Sequence, residues 1–127
     1  MFWPLKLGAV AAALAAVAAP AYAHHALTMY DRETERSLQG VVKSFDWTNP
    51  HIRIQLLVTE NGKPVTYDVE AGSPGRMSPN GWKSTTLQRG DKITLTVNPL
   101  RSGEPGGVFV SVVLPDGTLL TRRRPPT

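Results

Sequence analysis

Three histidines carry most of the metal-binding potential of this sequence: His24, His25 and His51. A neutral imidazole is the commonest metal ligand among protein side chains. His24 and His25 are adjacent, and His51 ends the segment Trp47-Thr48-Asn49-Pro50-His51, which lies between two stretches of strand-like composition. The chain contains no cysteine, so any metal site must be built without thiolates.

The residues before His24 have the features of a secretory signal peptide, residues 1–23. Lys6 gives a positive start, a run of small apolar residues follows, and Ala21-Tyr22-Ala23 matches the small-x-small pattern of a cleavage site. The apolar run is shorter than the roughly 20 residues that a permanent membrane helix needs. The pattern predicts a periplasmic or secreted protein, cleaved after Ala23, with no membrane span in the mature chain.

Cleavage after Ala23 would place His24 at the new N-terminus, where its α-amine and its imidazole can chelate one ion together. An α-amine has a pKa of about 7.7–8.0, so a metal ion can displace its proton near neutral pH. Copper(II) stands at the top of the divalent affinity order for such nitrogen ligands. The hypothesis is a site for copper(II), or another transition metal, formed by His24 and His51 with His25 as an alternate ligand. The competing interpretation is that the histidines are incidental, since a histidine at the start of a strand is often simply exposed.

A second group of residues favours a different kind of site. Trp47 and Trp82 lie near predicted turns, and Asn49 and Arg53 flank the first of them. Aromatic side chains on a small barrel can stack against a ligand, and the polar pair could add hydrogen bonds to a small molecule or a protein partner. The interpretation that we favour for the two tryptophans is that they close the ends of the barrel and bury area that short strands cannot supply.

No motif in the chain predicts an enzyme. The sequence has neither a Gly-x-Ser-x-Gly elbow nor a His-Glu-x-x-His pair, and no catalytic residue is assigned. Of the fourteen Lys and Arg residues, one lies in the signal segment and three lie in the tail 122–127, which its Arg and Pro content predicts to be disordered. The remaining ten balance the ten Asp and Glu residues, and a neutral, exported body gives no reason to expect nucleic-acid binding. We expect a monomeric binding or accessory protein.

Apolar and polar residues alternate along several short segments and predict a single all-β domain over residues 24–121. The clearest segment is 51–59, and Asn61-Gly62 after it is the pair that tight hairpin turns prefer. Gly40 interrupts the first strand and predicts a bulge or a sharp bend there. Further strands are expected at 64–70, 92–100, 108–114 and 118–121.

The stretch 76–87 is the least strand-like, and Pro79 and Gly81 limit any helix there to one or two turns. Five or six antiparallel strands, with this helical insertion between the third and the fourth, predict a small barrel of the oligonucleotide/oligosaccharide-binding (OB) type. An immunoglobulin-like sandwich is the alternative, but it needs about seven strands.

Several short motifs also point to a known bacterial family. In chain order they are His24-His25, Trp47-Thr48-Asn49-Pro50-His51, Gly72-Ser73-Pro74, Gly81-Trp82, Leu87 with Gly90-Asp91, and Asn98-Pro99-Leu100. By these motifs, which extend over nearly all of the mature chain, the sequence resembles a family of small exported proteins catalogued as a domain of unknown function. The resemblance implies an exported, OB-like β domain and no particular activity. Ser78-Pro79 departs from the smoother helical segment expected before Gly81-Trp82.

Overall fold

The computed structural model describes residues 28–122, which form six β-strands and one short helix. The predicted signal segment, His24, His25 and the tail after Arg122 lie outside the described residues. The strands are β1 (Arg36–Asp46), β2 (Arg53–Glu60), β3 (Lys63–Glu70), β4 (Lys92–Pro99), β5 (Gly106–Val113) and β6 (Leu119–Thr121). Helix α1 (Pro74–Met77) leads into a 3₁₀ turn (Ser78–Asn80) between β3 and β4.

All six strands belong to one sheet, in the order β3-β2-β1-β4-β5-β6. Neighbours in this order run antiparallel, and β3 also pairs in parallel with the start of β5, from Asp68↔Gly106 to Glu70↔Val108. This additional pairing closes the first five strands of the order into a barrel, and β6 lies alongside the second half of β5. The architecture confirms the predicted OB-like barrel and the place of its helical insertion.

The β2–β3 hairpin has the register that its turn sequence dictates. Asn61 and Gly62 both have positive φ, 52° and 76°, which an Asn-Gly pair adopts at little cost. Because the turn consists of these two residues, Glu60 pairs with Lys63, and the same register continues to Arg53 and Glu70 at the other end of the hairpin. The turn therefore fixes which polar side chains meet near the start of β2.

Gly40 marks a close approach of two strands and not a bulge. A Cβ atom at this position would lie 2.3 Å from the carbonyl oxygen of Leu57 and 2.9 Å from the Leu56 side chain. The register shift in β1 lies instead between Val42 and Ser44. A glycine inside a strand indicates either feature, so the sequence alone did not distinguish them.

Helix α1 confirms the short helical insertion. Its N-cap, Ser73, accepts a hydrogen bond from the backbone N–H of Arg76 at 3.3 Å, and Pro74 occupies the first turn. The 3₁₀ turn that contains Pro79 ends at Gly81, which has φ 93°. Within residues 28–122, no helix has the length and the apolar character needed to cross a lipid bilayer.

Apolar side chains from each strand of the closed barrel fill its interior. Residues 74–87 add three further buried side chains to this core, Met77, Trp82 and Leu87. Asn98 is the buried polar residue of the described chain; its Nδ2 donates to the Thr34 carbonyl at 2.9 Å, and its Oδ1 accepts from Arg122 at 3.3 Å. The buried amide is thereby paired on both sides, as burial of a polar group requires. The barrel strands contribute Leu38, Val42, Ile54, Leu56, Val58, Tyr67, Val69, Ile93, Leu95, Val97, Phe109 and Val112.

Candidate metal centre

His51 lies just before β2 with its side chain 53% exposed, and its Nε2 atom is 3.6 Å from Oε1 of Glu70. The next residue, Ile52, is buried, and its backbone N–H donates to the Gly72 carbonyl at 3.0 Å, which continues the β2–β3 pairing past the end of β2. Side chains alternate along an extended chain, so His51 and Arg53 both point outward. In the hairpin register, Arg53 lies opposite Glu70 on the neighbouring strand. This register brings His51, two residues before Arg53, beside the Glu70 carboxylate.

Glu70 also contacts the segment that precedes β1. Its Oε2 atom accepts a hydrogen bond of 2.9 Å from the hydroxyl of Tyr30. One carboxylate therefore contacts both Tyr30 and His51, one through each oxygen. Two backbone contacts fix the Tyr30 segment against the end of β4: the bridge of Tyr30 with Leu100, and the bond from Asp31 N–H to the Pro99 carbonyl.

The Tyr30 phenol stays protonated near neutral pH. Its pKa is raised from the usual 10.0 to about 12, first by burial and then by the hydrogen bond to Glu70 and the charge of Glu70. A protonated phenol is a hydrogen-bond donor. Tyr30 therefore holds Glu70 Oε2 in place and is not a phenolate ligand in this arrangement.

Arg53 is committed to an ion pair with Asp68. Its Nη2 atom contacts Asp68 Oδ2, and this hydrogen bond, followed by the charge of Asp68, raises the pKa of Arg53. Asp68 Oδ1 is buried and has no hydrogen-bond partner among the described residues. Arg53 also interacts electrostatically with Glu70, so a positive charge already lies beside the Glu70 carboxylate.

The four residues of the predicted ligand-binding group do not share one surface. Trp47 is half-buried, and Asn49 and Arg53 are exposed, so these three flank His51 in sequence and remain accessible. Trp82, in contrast, is 1% exposed. Its ring packs in the core, 5.1 Å and edge-on from Phe109, so it is not available to a ligand at the surface.

The described part of the chain supplies only a portion of the predicted metal site. Between residues 28 and 122, no three His, Asp or Glu side chains lie close enough together to hold a metal ion. His51 offers one imidazole nitrogen, and Glu70 offers a carboxylate beside it. A complete site would need ligands from outside these residues, where His24 and His25 lie.

The predicted metal ligands did not include Glu70, which contacts His51, or Tyr30, which contacts Glu70. The alternation of β3 places Glu70 on its polar face, where a solvated carboxylate is the ordinary expectation. The sequence nevertheless contained an indication of the position of Glu70, because a two-residue Asn-Gly turn fixes the register in which Arg53 lies opposite Glu70. Tyr30 had no such signal, since its segment has no periodicity and its contact with Glu70 depends on how the barrel closes.

Solved structures of low sequence identity share the fold. Two crystal forms of the mitochondrial single-stranded DNA binding protein Rim1 of S. cerevisiae match with TM-scores of 0.50 and 0.48, each at 11% sequence identity. The matches cover 64% of this chain in both cases, and 92% and 91% of the Rim1 chains. At this identity, the match with a TM-score of 0.50 shows the OB-type fold alone.

Sequence comparison identifies the family. A comparison with curated proteins found no match. Residues 11–109, more than three-quarters of the chain, match the family of unknown function DUF6152. This protein therefore belongs to DUF6152, in agreement with the resemblance that its motifs carry.

Proposed function

We propose that this protein is an exported accessory protein that binds copper(II) beside His51. The ion would be held by the α-amine and imidazole of His24, freed by cleavage after Ala23, and by the imidazole of His51, with His25 as an alternate ligand. The observation that supports this proposal is the pair of contacts made by Glu70, one to His51 and one to Tyr30.

The position of Tyr30 limits where the terminus can lie. Tyr30 follows His24 by only six residues. An extended chain spans at most about 3.6 Å per residue, so the backbone of His24 lies within about 22 Å of Tyr30. Because the Tyr30 side chain and His51 contact the same carboxylate, a segment of six residues is long enough to span from Tyr30 to a metal ion bound at His51.

Export is part of the same proposal. Only cleavage frees the α-amine that completes the chelate, and residues 1–23 have the sequence features of a signal peptide. The bacterial periplasm and the extracellular space are oxidising. Such a compartment favours copper(II), which suits a site of imidazole and amine nitrogens.

Isothermal titration of copper(II) into the mature protein tests the proposal, once intact mass has confirmed His24 as the first residue. We expect one ion per chain, and an affinity that falls about tenfold or more both in His51→Ala and in a variant with one extra Ala before His24. Thr59→Ala, an exposed substitution at the far end of β2, is the matched control and should bind as the wild type does. An affinity that is unchanged in His51→Ala would refute the shared site.

The alternative function is binding of a protein or a small ligand by the surface around Trp47, Asn49 and Arg53. It is favoured by the partial exposure of Trp47, whose ring lies 6.1 Å from that of Phe45 and extends the aromatic packing of the core toward this surface. If copper(II) bound the terminus alone, binding of a protein or a small ligand would replace copper binding as the proposed function.

A further inference from the structure

The two ring nitrogens of His51 have different surroundings. Nε2 faces Glu70 Oε1 at 3.6 Å, a distance that a small rotation of either side chain shortens to a hydrogen bond. Among the described residues, none forms a hydrogen bond or an ion pair with Nδ1. The side chain is 53% exposed, and Nε2 is the nitrogen directed at a carboxylate.

The carboxylate determines which nitrogen carries the proton. Glu70 Oε2 is occupied by the Tyr30 hydroxyl, so Oε1 is the oxygen that faces His51. An ionised carboxylate only accepts hydrogen bonds, so the favourable partner for Oε1 is a protonated Nε2. In a neutral imidazole the lone pair then belongs to Nδ1.

We propose that His51 binds its metal through Nδ1, with Glu70 as the residue that positions the ring through Nε2–H and Tyr30 as the residue that holds Glu70. This inference rests on the proposed copper site and specifies the geometry of its His51 ligand. A histidine ligand commonly donates its other ring N–H to a carboxylate, which fixes the tautomer and the ring orientation. The 3.6 Å approach of His51 Nε2 to Glu70 Oε1, and the hydrogen bond that Tyr30 donates to Glu70 Oε2, support such an arrangement.

The competing arrangement places the metal between Nε2 and Glu70. A cation there would lie close to the guanidinium of Arg53, which already interacts electrostatically with Glu70. The lone pairs of Nδ1 and Nε2 point in different directions, so a metal bound to Nδ1 does not compete with Arg53 for the Glu70 carboxylate. This favours Nδ1 over a position between Nε2 and Glu70.

Nitrogen-15 NMR of the metal-free mature protein tests the tautomer independently of any metal. We expect His51 to carry its proton on Nε2 in the wild type at a pH where the ring is neutral. In Glu70→Gln, the amide oxygen would remain with Tyr30 and the amide NH₂ would face Nε2, so the population with the proton on Nδ1 should increase. The matched control is Glu60→Gln, since Glu60 also accepts from a tyrosine, Tyr67, but lies at the far end of the hairpin from His51. A wild-type proton on Nδ1, or equal tautomer populations in the two variants, would overturn the inference.

The same variants are then titrated with copper(II), and zinc(II) serves as a diamagnetic probe of the bound nitrogen by NMR. We expect Glu70→Gln to weaken copper binding about 10–100-fold, Glu60→Gln to leave it unchanged, and zinc(II) to bind at Nδ1. Zinc at Nε2, or unchanged affinity in Glu70→Gln while His51→Ala weakens binding, would overturn the inference and leave the proposed function standing. Affinity that does not change in His51→Ala would overturn the proposed function itself.

Discussion

The Tyr30 hydroxyl donates a hydrogen bond of 2.9 Å to Glu70, which follows it by forty positions in the chain. The bond ties the segment before β1 to the end of β3, directly beside His51. It therefore adds a side-chain contact between two parts of the chain that the pairings of β1 to β6 do not join directly.

Replacing the hydroxyl should destabilise the fold modestly. Tyr30→Phe removes one partly buried hydrogen bond to a carboxylate, so we expect the free energy of unfolding in urea to fall by about 1–2 kcal/mol. Ser84→Ala, at an exposed position with no hydrogen bond to any residue between 28 and 122, should change it by less than about 0.5 kcal/mol. Equal stabilities of Tyr30→Phe and the wild type would show that the bond contributes nothing in solution.

The contribution of Tyr30 to stability should depend on alkaline pH. Its pKa is about 12 in the folded protein against 10.0 for an unperturbed tyrosine, so folding favours the protonated phenol. The stabilisation is complete below pH 10 and is lost as the pH rises through about 12. Thermal unfolding of the wild type and Tyr30→Phe from pH 8 to 12 should show a difference in stability that is constant at first and shrinks above pH 10. A difference that stays constant over the whole range would contradict the raised pKa.

The close approach of β1 and β2 should make Gly40 intolerant of a side chain. In Gly40→Ala, the new Cβ would overlap the backbone oxygen of Leu57, so we expect a loss of about 1–3 kcal/mol or failure to fold. Gly75→Ala is the matched control: its Cβ would meet nothing within 4 Å, and in helix α1 it should be neutral or stabilise by up to about 1 kcal/mol. Chemical denaturation measures the stability of both variants. A Gly40→Ala protein as stable as Gly75→Ala would refute the close approach of β1 and β2.

The two tryptophans should differ in their effect on stability. Trp82→Ala removes a fully buried ring and should cost about 3–5 kcal/mol, whereas Trp47→Ala removes a half-buried ring and should cost about 1–2 kcal/mol. Trp82→Phe should cost less than Trp82→Ala, because it keeps most of the ring and removes Nε1, a buried donor with no partner among the described residues. Denaturation midpoints in guanidinium chloride provide the comparison, and equal losses for the two alanine variants would contradict the core position of Trp82.

The strands and the barrel could be predicted because local patterns determine them. The alternation after His51 and the Asn61-Gly62 turn fix the β2–β3 hairpin, and Pro79 with Gly81 limits the helical insertion. The sequence left two positions open for Trp82, a ligand-binding surface and the core, since a tryptophan beside a turn is compatible with either. What decides between them is the packing of Trp82 against Phe109 and the rest of the core, and no local pattern carries that information.

In the candidate site, too, some features follow from local sequence patterns and others from long-range contacts. His51 was found from its residue type, and the hairpin register fixed by the Asn61-Gly62 turn places Glu70 beside it. Tyr30, in contrast, joins them only through the long-range contact of its segment with β3. A tyrosine in a segment without periodicity gives no indication of its partner. Contacts between distant segments are therefore the part of this site that the sequence leaves open.

The central claim is that one copper(II) ion binds the mature terminus and His51 at the same time. Electron paramagnetic resonance of the mature protein with one equivalent of copper(II), compared with His51→Ala, tests it most directly because the spectrum reports the nitrogens bound to the metal. We predict that the wild type shows the coupling of one more imidazole nitrogen than His51→Ala, and that the copper parameters differ between the two proteins. Identical spectra would show that copper binds the terminus alone and would contradict the claim.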